Sequence, residues 1–233
     1  MLQDPWWEIR PIIEGFNACR KKAIEPGPHI VVDEVMSKWQ GADANWVAEG
    51  LPHVTKLQRK PEGVGAEMKS VCDGETNIML GLDIMEGKEV QVKKNYFDLT
   101  KREGTAVTLR LCQHYFGSGR VVHADSAFAS VNTAYHLRKC GLHFMGMVKT
   151  ATSEFPMKHL SSKKGEYGTG KEKARGGWLL LESELVGENL NNDKIFALGW
   201  YDKQAKYLIS TCGSTVPGAP SVRERHSTQI IDG

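Results

Sequence analysis

The chain has 233 residues, enough for one sizeable core or for one core with an inserted subdomain. It is 40% hydrophobic and 25% charged with a net charge of +2, an ordinary balance that neither demands nor excludes nucleic acid and leaves any basic surface to be local. No apolar run approaches the roughly 20 residues of a membrane helix, nothing resembles a signal peptide, and the five widely spaced cysteines lack a CxxC pair, so reduced thiols in a nuclear or cytoplasmic protein are expected.

In chain order, residues 5–24 predict an amphipathic helix, with Trp7, Ile12, Ile13 and Phe16 at helical spacing and Pro26-Gly27 as its stop. His29–Val35 is a short apolar run expected of a buried strand, and it carries Asp33. A polar stretch with Trp39 and Trp46 follows. Val54–Leu57, Glu67–Cys72 and Asn77–Ile84 predict strands, the last two joined by a turn at Asp73-Gly74. Thr105–Phe116 predicts a helix. Val121–Ala124 predicts a strand that runs into Asp125, Ser130–Cys140 a helix with Gly141 as its stop, and His143–Lys149 another strand. Residues 161–177 are rich in Gly and Lys and predict a mobile loop. Trp178–Leu185, Lys194–Trp200 and Lys206–Thr211 predict further strands, with a turn over 202–204 in the last connection. The tail HSTQIIDG reads as a strand without a partner, and both ends read as internal to a longer parent.

An antiparallel group followed by β-α-β-α units predicts a mixed sheet covered by helices. The expected division is a core over 1–155 and a β-rich region over 156–233. Asp33 and Asp125 each follow a β-branched run, the arrangement that puts a carboxylate at the edge of a sheet, and on neighbouring strands they would form a site for a divalent metal. Each has an alternative: a strand-end turn residue beside Glu34 for Asp33, and a helix cap ahead of SAFAS for Asp125. Glu34 is expected at the surface, the alternative being an acid that supports the metal ligands, and His123 in the core, the alternative being a place on the Asp125 side of its strand. Lys38, Trp39 and Trp46 suit contacts to a nucleic-acid backbone or bases, or plain packing. Lys163–Arg175 suits phosphates or a solvated loop.

Five stretches carry a resemblance: IRPIIEGFNACRKK, HIVVDEVMSKWQG, HVTKLQRKPEGVGAEMKSVCD, RVVHADSAFASVNTAYHLRKCGLHFMGMVKTATSEFP and ALGWYDKQAKYLISTCG. In order and spacing they resemble the catalytic domain of piggyBac-type transposases and their domesticated derivatives, from about Trp7 to Thr211. The resemblance implies a ribonuclease H-like α/β fold, with a mixed sheet flanked by helices and a β-rich insertion. It implies DNA cleavage and strand transfer by three aspartates and two divalent metals, Mg²⁺ or Mn²⁺, whose hard character suits carboxylate oxygens. Asp33 and Asp125 match the first two aspartates. The third belongs to a Gly-Gly-Val-Asp segment that does not occur in this sequence; Asp202 and Asp232 lack its surroundings. The resemblance also implies DNA, at transposon ends, as partner. Lys38, Lys60 and Lys69 are the candidate DNA contacts, and Glu67 stands where relatives often carry Lys. A homodimer is open, and neither a membrane nor a small-molecule cofactor is expected. The expected function is that of a transposase-derived domain whose active site is incomplete; the alternative is a non-catalytic, domesticated DNA-binding or protein-interaction module.

Overall fold

The computed structural model describes residues 4–38, 40, 52–56, 63–149, 152–168, 176–187, 190, 193–201 and 204–216. Lys60, Trp39, Trp46, Asp202, Asp232 and the HSTQIIDG tail lie outside these residues.

Nine strands among the described residues form one sheet. They are β1 (His29–Lys38), β2 (Thr55–Lys56), β3 (Val64–Asp73), β4 (Met79–Ile84), β5 (Val121–Ala124), β6 (His143–Val148), β7 (Trp178–Glu184), β8 (Lys194–Tyr201) and β9 (Ala205–Ser210). The order is β2-β3-β1-β5-β6-β9-β8-β7, with β4 also on β3. The pairings β4-β3 and β3-β1 are antiparallel, β1-β5 and β5-β6 parallel, and β6-β9, β9-β8 and β8-β7 antiparallel. This is the ribonuclease H-like arrangement, and the strands after residue 156 extend the same sheet.

The helices are α1 (Arg10–Ala23), α2 (Lys88–Gln91), α3 (Phe97–Thr100), α4 (Glu103–Cys112), α5 (Val131–Lys139) and α6 (Met157–Gly168). α1 starts with Pro11 in its first turn, where a missing N–H costs nothing, and ends with Arg20, Lys21 and Lys22, which favour the negative end of the helix dipole. Asn17 both donates to and accepts from the backbone of Leu82, so α1 occupies the edge of β4. Beside that contact Trp6 and Ile13 pack on Ile84, Met68 and Leu82. The main core lies on the other face, where Ile30, Val32, Val71, Val122 and Phe144 meet Val107, Leu109 and Leu111 of α4 and Ala134 and Leu137 of α5.

The structure departs from the sequence expectation in several elements. β1 does not stop near Val35: its antiparallel pairing with β3 continues to Lys38 opposite Gly65. Residues 161–168, the first half of the expected loop over 161–177, are helical as part of α6, which is anchored by the buried Met157 and Leu160; 169–175 lie outside the described residues. The short α2 and α3 were not anticipated, since four residues carry too little periodicity to register.

Candidate functional site

The two aspartates come together through strand register. β1 and β5 pair in parallel from His29 opposite Val121 to Val32 opposite Ala124. Asp33 and Asp125 are the next residue on each strand. β5 ends there, whereas β1 continues on β3, so Asp33 lies mid-strand at the point where the parallel pairing stops. Side chains alternate across a sheet. Ile30, Val32 and Glu34 face the helix-covered core and are buried, while His29, Asp33 and the partly buried Val31 face the other way. Asp33 is exposed and Asp125 half-buried.

Each carboxylate is held by backbone. Asp33 Oδ1 accepts from the Glu34 amide at 2.7 Å. Asp125 Oδ1 accepts from the Ala127 amide at 2.7 Å, and the Asp125 carbonyl accepts from Phe128 and Ala129 at 3.2 and 3.0 Å. Asp125 thus closes a tight turn of its own. It is not the helix cap, since Ser130 caps α5 by accepting from the Thr133 amide. Two glycines let the turn sit close to its neighbours. A Cβ on Gly146 would lie 2.9 Å from Ala129 Cβ, and one on Gly104 would lie 2.9 Å from the Ala127 carbonyl.

On the same face, the imidazoles of His29, four residues before Asp33, and His123, two residues before Asp125, meet at 3.0 Å, Nδ1 to Nε2. Burial lowers the His123 pKa and the charge of His29 lowers it further. His123 is therefore half-buried and paired across strands, not a core histidine. Next to Val31 in the sheet, burial raises the Cys72 thiol, and the nearby Asp33 carboxylate adds to that against a hydrogen bond with Ser70.

Glu34 corrects the expectation of surface exposure. It is 8% exposed and its carboxylate lies 3.5 Å from Lys69 Nζ, which also meets Glu67 at 2.5 Å. Lys69 thus points into the core side of the sheet, with its side chain 12% exposed. Lys38 is exposed at the end of β1. A cleft of about 440 Å³ beside Asp125 is lined by Arg102, Ser126, Ser130, Lys149 and Thr152 among others. Arg102 and Lys149 are both exposed, and Arg102 donates to Ser153 Oγ at 2.7 Å. Neither cation stands out in the sequence, because only the fold brings a residue 23 positions before Asp125 and one 24 positions after it to the same opening.

A family model described as Transposase IS4 matches residues 2–232. The chain belongs to the transposase IS4 family. No curated protein matches it. Among solved structures, the piggyBac transposase synaptic complex with hairpin DNA is similar at a TM-score of 0.69 and 20% identity, over 93% of this chain and 40% of that one. The likeness shows a shared fold, and this member of the family spans well under half of that protein's length. An endonuclease V from Ciona intestinalis, solved with an inosine-containing 23mer DNA, follows at a TM-score of 0.32 and 11% identity, over 85% of this chain and 81% of that one, too distant to bear on the fold. In this family member no helix among the described residues is long and apolar enough to cross a membrane. No group of three or more His, Cys, Asp or Glu among the described residues is placed to hold a metal.

Proposed function

We propose that this chain is the catalytic core of a piggyBac-type DNA transposase, with Asp33 and Asp125 as two of the ligands of a divalent metal. The register that puts the two acids at neighbouring strand positions is the observation that carries this reading, since hard carboxylate oxygens on adjacent strands suit Mg²⁺ or Mn²⁺. Bound there, such an ion would act as a Lewis acid on a DNA phosphate and lower the cost of the charge that develops as its ester bond breaks. The protein's own part is to hold the carboxylates: the Glu34 amide fixes Asp33, and the Asp125 turn fixes its side chain through Ala127. Arg102 and Lys149, at the cleft beside Asp125, provide cations for the DNA backbone. Lys38 and Lys60 extend that role as candidate contacts, and a nuclear location follows from a DNA substrate.

A second reading is a DNA-binding or protein-interaction module without catalysis. It is favoured by the donor set, since the described residues bring two acids together where two-metal chemistry in the parent family uses three.

Titration of the protein with Mn²⁺ tests the metal reading. Binding that is lost in both Asp33→Ala and Asp125→Ala is expected. Binding that survives both substitutions unchanged sinks the assignment. Cleavage of transposon-end DNA by the protein, abolished by Asp33→Asn, separates the transposase from the non-catalytic module.

A further inference from the structure

We propose that Lys69 is a positioning residue that ties together, from the reverse side of the sheet, the two segments that carry Asp33 and Asp125. Its Nζ lies 3.5 Å from Glu34 and 2.5 Å from Glu67. The same ammonium lies 5.2 Å from the centre of the Phe128 ring, within the range in which a cation is drawn to an aromatic face. Phe128 is 2% exposed, so little water weakens that contact.

Two of these partners, Glu34 and Phe128, lead directly to an acid. Glu34 follows Asp33 in the chain, and its amide donates to Asp33 Oδ1. Phe128 lies in the turn that Asp125 closes, and its amide donates to the Asp125 carbonyl. One ammonium therefore contacts the residue after the first acid and the turn after the second, across two strands that share only four paired residues. β3 brings it there, because Lys69 is the register partner of Glu34. Shortening or neutralising the side chain would remove this polar tether between the Asp125 turn and β1 and leave only the apolar packing of the shared core. The pattern also accounts for Glu67. A glutamate there, two residues before Lys69 on the same face of β3, becomes a second anchor for the ammonium.

The consequence for metal affinity rests on the reading of Asp33 and Asp125 as ligands; the tether itself does not. Hydrogen exchange on the full chain, without metal, tests the tether. In Lys69→Met the amides of Glu34, Ala127, Phe128 and Ala129 should exchange roughly tenfold faster or more, while those of Ala197 and Ile209 in β8 and β9 keep their rates. Lys69→Arg, which keeps a cation for the carboxylates and the ring, should restore wild-type exchange. Phe128→Leu keeps the ion pairs and removes the ring, and should speed the turn amides alone; it carries the test if Lys69→Met does not fold. Turn amides that keep their wild-type rates in both Lys69→Met and Phe128→Leu overturn the proposal. So does failure of Lys69→Arg to restore them.

Mn²⁺ titration then reads the consequence. Lys69→Met should weaken binding roughly 10-fold, the lower end for residues that orient metal ligands, and Lys69→Arg should not. A wild-type protein whose Mn²⁺ binding ignores Asp33 and Asp125 removes the metal reading but leaves the exchange pattern to decide the tether.

Discussion

Asp33 and Glu34 are chain neighbours that face opposite sides of the same strand, one exposed and one 8% exposed against Lys69. Two adjacent acids therefore answer to different pressures. Asp33→Asn changes an exposed group and should alter stability by no more than about 0.5 kcal/mol, while removing Mn²⁺ binding. Glu34→Ala removes one member of a buried ion pair and should cost about 3 kcal/mol. Urea unfolding of the two variants decides the matter. Equal losses would mean that Asp33 is structural or that Glu34 is less buried than it looks.

Gly146 makes a second prediction. A Cβ there would lie 2.8 Å from Phe144 Cζ, 2.9 Å from Ala129 Cβ and 3.0 Å from the Ala124 carbonyl. Two of these neighbours belong to β5 and the turn that follows Asp125, so β6 must present no side chain at this point. Gly146→Ala should destabilise by about 1–3 kcal/mol through overpacking and shift the backbone resonances of residues 124–129. A melting curve that matches wild type would show that the turn yields freely.

Much of this architecture is legible in the sequence. Val121–Ala124 and its terminal Asp125 stand out because a β-branched run is bounded by Gly-containing and Ser-containing turns, and α5 because Ser130 and Gly141 mark its ends. That Asp33 and Asp125 lie on adjacent strands is implied by the ribonuclease H-like resemblance, and the parallel register of β1 with β5 is what places them there. Other features are hidden because they are decided by distant partners. Glu34 reads as a surface acid until Lys69, 35 positions on, is placed opposite it. The helix at Met157–Gly168 is masked by a Gly- and Lys-rich composition, and its fixed point is Leu160, which is 0% exposed. Arg102 and Lys149 carry no local signal and meet only through the fold.

Glu86 and Asp73 should contribute to acid sensitivity. Burial would raise the Glu86 carboxyl, but Arg10 and Lys94, at 2.5 and 2.7 Å, outweigh it and hold it below its ordinary value. The Thr76 hydroxyl and amide and the Gly27 amide hold Asp73 below its own. In the unfolded chain these groups titrate near 4.5 and 3.8. Below that range the unfolded state takes up protons that the folded state refuses, so stability is present above about pH 5 and falls as pH drops through the lowered folded values. Urea midpoints measured from about pH 6 down to about pH 3 should show this decline. Glu86→Gln should flatten it. An identical slope in the variant would assign the acid response to other groups.

The last prediction concerns Thr133, which is 0% exposed at the junction of α4, α5 and the Asp125 turn. A hydroxyl has one proton to donate and two lone pairs to accept with. Thr133 gives its proton to the Phe128 carbonyl at 2.7 Å. Its oxygen then takes the protons of Thr105, at 2.8 Å, and Ser130, at 3.0 Å. All of its capacity is used, and no other described contact would satisfy the Phe128 carbonyl once it is gone. Thr133→Val keeps the shape and strands the Phe128 carbonyl and the Thr105 hydroxyl, while Ser130 keeps the Thr133 amide, so it should cost about 1–3 kcal/mol. Thr133→Ser keeps the hydroxyl and loses only a methyl group, about 1 kcal/mol. Because Phe128 belongs to the turn that Asp125 closes, the valine variant should also weaken Mn²⁺ binding more than the serine variant does. Calorimetric melting and Mn²⁺ titration of the pair check both parts. A serine variant that loses as much as the valine variant would make Thr133 a packing residue and not a hydrogen-bond hub.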